Sequence, residues 1–202
     1  MKKYSCIESF CGPGGMSLGI KRAGFDVLLA FDKDEFAVTT YRTNNSSPCL
    51  CCDAAQVTAS MLRKESALGT RRLDLWAGGP PCQGFSKQKR GAHNGDSRNE
   101  LILEYVRLVR ELRPRMFILE NVVMFAQKRG RRYLESLFND LHDYQLFPHI
   151  YNSADYGLAQ TRERFILVGK HKSVKAAFCI PKPTVSRWLT VDEVIGDLPE
   201  PP

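Results

Sequence analysis

At 202 residues the chain fits one domain with a substantial core. An apolar share of 43% and a charged share of 25% are ordinary for a globular protein. No apolar run approaches a membrane span and the start MKKYSCIESFCGPGG lacks a signal-peptide core, so membrane and secreted classes are set aside for a cytoplasmic protein. The net charge of +7 favours a polyanionic partner without proving one. Seven cysteines at positions 6, 11, 49, 51, 52, 82 and 179 give no regular disulfide framework, so reduced thiols are expected.

Short apolar runs alternate with longer helical patterns along the chain. YSCIESF, VLLAFD, LDLWAGG, MFILEN and RFILVGK read as strands separated by amphipathic segments, which predicts βαβ units, a mostly parallel sheet and an α/β fold. The first run passes into ESFCGPGGMSLG, residues 8–19, where Gly12, Gly14 and Gly15 precede a helix with Gly19 in its first turns. Glycines permit a tight turn and close approach to a ligand at the carboxyl end of a strand. The spacing is not the dinucleotide fingerprint, so a nucleoside-type cofactor loop and a structural turn both stand. Asp32 ends the second run, about 20 residues past the glycines, where its carboxylate can accept bonds from both hydroxyls of a ribose. Asp34 fits a helix-capping role better than Asp32. Cys49, Cys51 and Cys52 lack a second ligand pair at zinc spacing, so no metal is expected and a loop running into a small buried strand accounts for them. Asp53 follows this third apolar stretch, placed either to meet an adenine amine or to lie on the surface.

The run LDLWAGG leads into GGPPCQGFS. Two prolines fix the backbone ahead of Cys82 and place its thiol at the carboxyl end of a strand, where parallel sheets bind ligands. A free thiol is only a few per cent thiolate at neutral pH, so a nucleophilic role needs nearby cations, and Lys87, Lys89, Arg90, His93 and Arg98 crowd the following loop. A second basic cluster is Lys128, Arg129, Arg131 and Arg132. In NELILEYVRLVRELRP, Leu101, Tyr105, Leu108 and Leu112 recur at helical spacing and Pro114 closes the pattern; RRYLESLFNDLHDY repeats it with Leu134, Leu137, Phe138 and Leu141. Glu120 and Asn121 in ILENV end another strand, where a partly dehydrated carboxyl group can donate a proton or hydrogen bond. In QTRERF, Arg162 and Arg164 share one face of an extended segment, able to clamp an anion or orient Glu120. Beyond residue 180 the chain turns proline-punctuated, with one short helical candidate, TVDEVIGDL; 1–180 is read as the catalytic, cofactor-binding domain and 181–202 as an edge or linker.

Taken in order, SFCGPGG, FDKD, PPCQGFS, ENV and SADYGLAQTRERFILVG strongly resemble the cytosine-5 DNA methyltransferase family over nearly the whole chain. The resemblance implies a Rossmann-like fold dependent on S-adenosylmethionine, with helices on both faces of the sheet. It implies that Phe10, Gly12, Gly14, Gly15, Asp32, Lys33, Asp53, Pro80 and Leu101 line the cofactor site. Cys82 would attack carbon 6 of a flipped cytosine, Glu120 would bond to ring nitrogen 3 and the amino group, Arg164 would contact the base carbonyl, and Arg162 would help order the site. Gln83, Ser86, Lys87, Lys89, Arg90 and Arg98 would contact double-stranded DNA, and residues 83–100 would form a loop that closes over it.

The family pattern continues into a variable recognition region, an arginine-bearing motif and a last helix that do not follow Pro202. The expectation is therefore a catalytic half that needs a second polypeptide for target recognition, or a truncated form, and a chain nearly inactive alone. Three other readings compete with this one. A transfer RNA cytosine-5 methyltransferase shares the motifs, but Gly84, Phe85 and Ser86 match the DNA enzymes; a non-catalytic nucleic-acid-binding subunit sits poorly with intact Cys82, Glu120 and Arg164; a nucleotide-dependent oxidoreductase leaves PPCQGFS and ENV unexplained.

Overall fold

The computed structural model describes residues 3–81, 101–127 and 131–199. Seven strands, β1 (Tyr4–Ser9), β2 (Phe25–Asp32), β3 (Cys49–Cys51), β4 (Leu75–Gly78), β5 (Met116–Asn121), β6 (Tyr144–Asn152) and β7 (Glu163–His171), form one sheet in the order β3-β2-β1-β4-β5-β7-β6. The pairs from β3 through β5 are parallel; β7 runs antiparallel to both β5 and β6. The expected five strands are all present. The sequence reading did not name β6, which carries Pro148 opposite Leu167. A proline cannot donate to a ladder, and it is tolerated here because β6 is the edge of the sheet.

Helices α1 (Gly15–Arg22), α2 (Glu35–Asn44), α3 (Ala59–Glu65), α4 (Leu101–Leu112), α5 (Arg131–Asp140) and the short α6 (Asp192–Ile195) complete the described elements. Both faces of the sheet are covered, which is why β1 is buried at five consecutive positions rather than at alternate ones. On one face Ile7, Leu29, Phe31, Trp76, Phe117 and Leu167 pack with α3, α4 and α5; on the other Cys6, Val27, Leu75 and Ala77 meet Ile20 of α1, and Ala30 meets Val38 and Tyr41 of α2. Along the first face an aromatic chain runs from Phe10 through Phe31, Trp76, Tyr105 and Phe117 to Tyr144, neighbouring ring centres lying between 5.2 and 6.3 Å apart. Such tilted pairs add to burial through the ring quadrupoles. No described helix is long and apolar enough to cross a membrane.

The helix expected from its apolar spacing is α4, and its exposed edge holds down a neighbour. Arg107 ties to Glu104 at 2.8 Å and Glu111 at 2.9 Å, and its Nη2 donates to the carbonyls of Ala54 and Val57 at 3.3 and 2.8 Å. Ala54 and Val57 are buried and close the 3-10 turn that begins at Asp53, so one guanidinium anchors that turn to the helix. Arg107→Met keeps most of the stem but removes these bonds, leaving the Ala54 carbonyl only its bond from the Val57 amide and taking this donor from the Val57 carbonyl, and is expected to lower the free energy of unfolding by about 1–3 kcal/mol in urea titrations. A change within experimental error contradicts this anchoring role.

Candidate active site

Strand order reverses between β1 and β4: the chain steps outward from β1 through β2 to β3, then returns to the other side of β1 as β4. Open α/β sheets bind ligands outside the carboxyl ends of the strands at such a switch point. The β1–β4 register ends with Ser9 opposite Gly78 and the β4–β5 register with Gly78 opposite Leu119, so the segments after these strands emerge at one level. A cavity of about 190 Å³ lies there, lined by Phe10, Phe31, Asp32, Lys33, Cys52, Asp53, Ala54, Gly79, Pro81 and Leu101.

The walls are built locally. Phe10 adopts φ +52°, a left-handed conformation that costs a bulky residue about 1–3 kcal/mol and persists only where its surroundings enforce it. Here the amide of Cys11 donates to the carbonyl of Phe31 at 3.2 Å, tying the turn to β2. Asp32 accepts from the Gly12 amide at 2.9 Å through Oδ2 and from the Asp34 amide at 3.0 Å through Oδ1. Each oxygen keeps a lone pair, so a ribose diol can still be received. Asp34 caps α2, accepting from the amides of Phe36 and Ala37, which agrees with the division of labour between the two aspartates read from the sequence. Asp53 caps the turn that follows it, accepting from the Ala55 amide at 3.0 Å while lining the cavity.

The glycines act at one remove. None of Gly12, Gly14 and Gly15 lines the cavity; Gly14, at φ +100°, opens α1 with Tyr41 and Asn45 where a side chain would have to stand. A β-carbon there would meet Tyr41 Cδ2 at 2.8 Å. The cofactor contact expected of Pro80 needs correction, because Pro81 and not Pro80 faces the cavity. Successive residues of an extended segment point to opposite sides, and Pro80 is buried with its carbonyl accepting from Asn121 Nδ2 at 3.1 Å. Phe10, Asp32, Lys33, Asp53 and Leu101 are gathered as expected. Cys82, Gln83, Ser86, Lys87, Lys89, Arg90 and Arg98, with the closing loop 83–100, lie outside the described residues, as do Lys128, Arg129 and the side chains of Arg131 and Arg132.

Glu120 ends β5 beside this cavity. One carboxylate oxygen, Oε1, accepts from Arg164 Nε at 2.8 Å, and the other lies so near Gly79 that a β-carbon on that glycine would stand 2.8 Å from Oε2. Arg164 reaches it because β7 enters antiparallel to β5, with Asn121 opposite Phe165. A second cleft, of about 410 Å³, opens beyond the pair and is lined by Val122, Val123, Met124, Gln160, Thr161, Arg162, Glu163 and Arg164. Glu120 thus lies against one lining residue of each space, Gly79 of the first and Arg164 of the second. Arg162 is exposed in the second cleft, with its amide donating to Asn152 Oδ1 at 3.2 Å. Asn121, quoted in the ENV motif without a role, turns out to clasp the Pro-Pro segment: Nδ2 holds Pro80 while Oδ1 accepts from the Val122 amide.

The model of the C-5 cytosine-specific DNA methylase family matches residues 4–202. The chain belongs to that family. Among its relatives, the type II methyltransferase M.XorII of Xanthomonas oryzae pv. oryzae is 38% identical over 199 residues, which cover 96% of this chain and 46% of that protein. M.AquIA of Picosynechococcus is 32% identical over 189 residues, covering 88% of this chain and 75% of the relative. A crystal structure assigned to a prophage-encoded DNA modification methyltransferase of Escherichia coli superposes with a TM-score of 0.86 at 33% identity, over 98% of this chain and 56% of the other. The chain spans about half the length of most curated relatives it matches.

Beneath the glycine loop lies a polar cluster that the sequence did not reveal as one. Glu8 is 1% exposed; its Oε2 accepts from Ser17 Oγ, and Ser17 also bonds to Tyr41 OH at 2.7 Å. Only the period-two pairing of Glu8 with Cys6 on the α1 face could have signalled it. Burial pushes the Glu8 carboxyl up to about 7, with Asp32 adding to the rise while Ser17 and Lys21 oppose it. Between its ordinary value near 4.5 and about 7 the folded state holds more protons than the unfolded one. The contribution of Glu8 to stability therefore falls as pH rises through that window. Urea titrations near pH 5 and near pH 8 are expected to show the wild type losing up to roughly 3 kcal/mol relative to Glu8→Gln. A difference that does not change with pH contradicts the buried carboxyl.

Proposed function

We propose that the chain is the catalytic part of a DNA (cytosine-5)-methyltransferase that uses S-adenosylmethionine. The observation that carries the reading is the Glu120–Arg164 pair, which lies against the switch-point cavity at Gly79 and lines the second cleft through Arg164. The first cavity fits the cofactor by its chemistry: aromatic Phe10 and Phe31, a carboxylate with free lone pairs at Asp32, and Asp53 and Lys33 at its rim. When bound, S-adenosylmethionine supplies an electrophilic methyl group on its sulfonium. Asp32 would receive the ribose hydroxyls, Asp53 the adenine amine, and Pro81 and Leu101 would cover the remaining apolar surface.

In this reading the substrate cytosine leaves the duplex and enters from the side of the second cleft. Carbon 5 of cytosine is a weak nucleophile while the ring is aromatic. Cys82, next in the chain after Pro81, attacks carbon 6 and forms a sulfur–carbon bond, which makes carbon 5 nucleophilic. Glu120 bonds to ring nitrogen 3 and the exocyclic amine, where charge builds during the attack. Arg164 holds Glu120 in place and offers the remaining guanidinium donors to the base carbonyl; Arg162 orders the rim of the cleft. Loss of the carbon 5 proton after methylation expels the thiolate. Gln83, Ser86, Lys87, Lys89, Arg90 and Arg98 are assigned to the DNA, residues 1–180 to the catalytic domain, and 181–202 to its edge.

Target recognition is proposed to need polypeptide beyond these 202 residues, on a second chain or as a further part of the same one. Two observations support this: relatives about twice as long, and apolar side chains left in solvent on the last described segment, with Trp188, Val191, Val194, Ile195 and Leu198 each at least half exposed or nearly so. The test uses labelled S-adenosylmethionine and a duplex in which 5-fluorocytosine replaces cytosine, so that carbon 5 carries fluorine, which cannot leave as the proton does, and the adduct is trapped. A covalent complex is expected in the wild type, absent in Cys82→Ala, and dependent on the product of the neighbouring gene. No adduct under either condition, with cofactor binding intact, contradicts the catalytic reading; an adduct formed by these 202 residues alone contradicts the need for further polypeptide.

A further inference from the structure

Two cysteines meet beneath the cofactor loop. Cys11 Sγ and Cys49 Sγ lie 3.6 Å apart, in a buried cluster completed by Ala30, Val38 and Tyr41. Among the described residues no other pair of sulfurs is recorded in contact. Cys11 stands between Phe10 and Gly12, within the turn that walls the cavity; its amide is bound to Phe31 and its carbonyl accepts from the Gly14 amide at 3.0 Å. Cys49 opens β3, the three-residue strand at the sheet edge, opposite Ala30. Cys49 is buried, while Cys51 two residues later on the same edge strand is exposed.

We propose that Cys11 and Cys49 form a reversible, peroxide-sensitive dithiol whose disulfide pulls the glycine loop against β3 and weakens cofactor binding. This rests on the cofactor reading given above. The hydrogen bond from Cys11, aided by Arg42, draws the Cys49 thiol below its ordinary value, whereas the same bond and burial push Cys11 up. Arg42 is held in place by two bonds to the Cys49 carbonyl, at 3.0 and 2.6 Å. The guanidinium of Arg42, fixed beside Cys49, favours a thiolate on that sulfur. This thiolate attacks one oxygen of a hydroperoxide, giving a sulfenic acid and releasing hydroxide or alkoxide, which takes up the thiol proton. Cys11 sulfur then displaces the sulfenic hydroxyl as water, so two thiols and one hydrogen peroxide yield one disulfide and two waters. A reductant such as a dithiol restores the pair.

Bond formation brings the sulfurs from 3.6 Å to roughly 2 Å, so the Cys11 side must move by about 1.5 Å or β3 must follow it. Phe10 and Gly12 are covalent neighbours of Cys11, and the Gly12 amide is bonded to Asp32, so the displacement reaches both the aromatic wall and the carboxylate assigned to the ribose. A misplacement of this size at a binding constellation is expected to cost on the order of tenfold or more in affinity. The sequence separation of 38 residues also makes the bond a cross-link between β3 and the start of α1.

The full chain, reduced or treated with hydrogen peroxide, is digested without reductant and its peptides mapped by mass spectrometry, while S-adenosylhomocysteine affinity is measured by calorimetry. Binding is the readout because oxidation of Cys82 would stop methyl transfer by itself. The expected result is a Cys11–Cys49 cross-linked peptide and a roughly tenfold loss of affinity, reversed by dithiothreitol and absent in Cys49→Ser and, independently, in Cys49→Ala. Oxidation confined to other cysteines overturns the proposal, and so does a cross-link that leaves affinity unchanged. Failure of the reduced wild type to bind the cofactor product would instead overturn the cofactor reading, leaving the peptide map to decide on the disulfide.

Discussion

The level at which the parallel strands end governs everything that happens at the site. Ser9, Gly78 and Leu119 face one another in register, and the segments that leave β1, β4 and β5 therefore surface together. Phe10, the Pro-Pro segment and Glu120 come from three stretches spread over more than a hundred residues of the chain and need no further device to meet. The antiparallel entry of β7 adds the last part. Because β7 starts where β5 stops, Arg164 lands on Glu120 with a charge-assisted bond of 2.8 Å. Reversing that strand would place the arginine at the far end of the sheet.

Much of this was legible in the sequence, for identifiable reasons. The strands β1, β2, β4, β5 and β7 are dense apolar runs because both faces of the sheet are covered, and the helix α4 shows its buried stripe plainly. Asp32, Asp53 and Glu120 could be singled out because each follows such a run, at the place where an α/β sheet binds ligands. β6 was not visible: its apolar residues do not alternate and Pro148 argues against a strand until the edge position is known. The choice between Pro80 and Pro81 was also out of reach, since it depends on which proline Asn121 seizes. Contacts of this kind join residues about forty positions apart and leave no local pattern. The same holds for Glu8, Ser17 and Tyr41, whose cluster exists only once α1 and α2 lie against β1.

The site concentrates what a stable domain otherwise avoids. A phenylalanine sits in left-handed geometry, a carboxyl group is buried against a serine hydroxyl, and a glycine is required where Tyr41 and Asn45 crowd the loop. Two of these are tied to neighbouring elements: Phe10 through the Cys11 amide on Phe31 of β2, and Glu8 through Ser17 of α1. Strain gathered at one edge and supported by a rigid sheet is the usual physical mark of a binding site. It also makes the loop responsive, since a small displacement of Cys11 changes two walls of the cavity at once.

The central claim is that the cavity at the β1–β4 switch point receives the cofactor. Hydrogen–deuterium exchange of the chain with and without S-adenosylhomocysteine tests it most directly. Protection is expected in peptides spanning Phe10 to Gly15, Asp32 to Asp34 and Asp53 to Ala55, with the far ends of the same strands unchanged. Measurable binding accompanied by protection elsewhere, and none in these three stretches, would contradict the account.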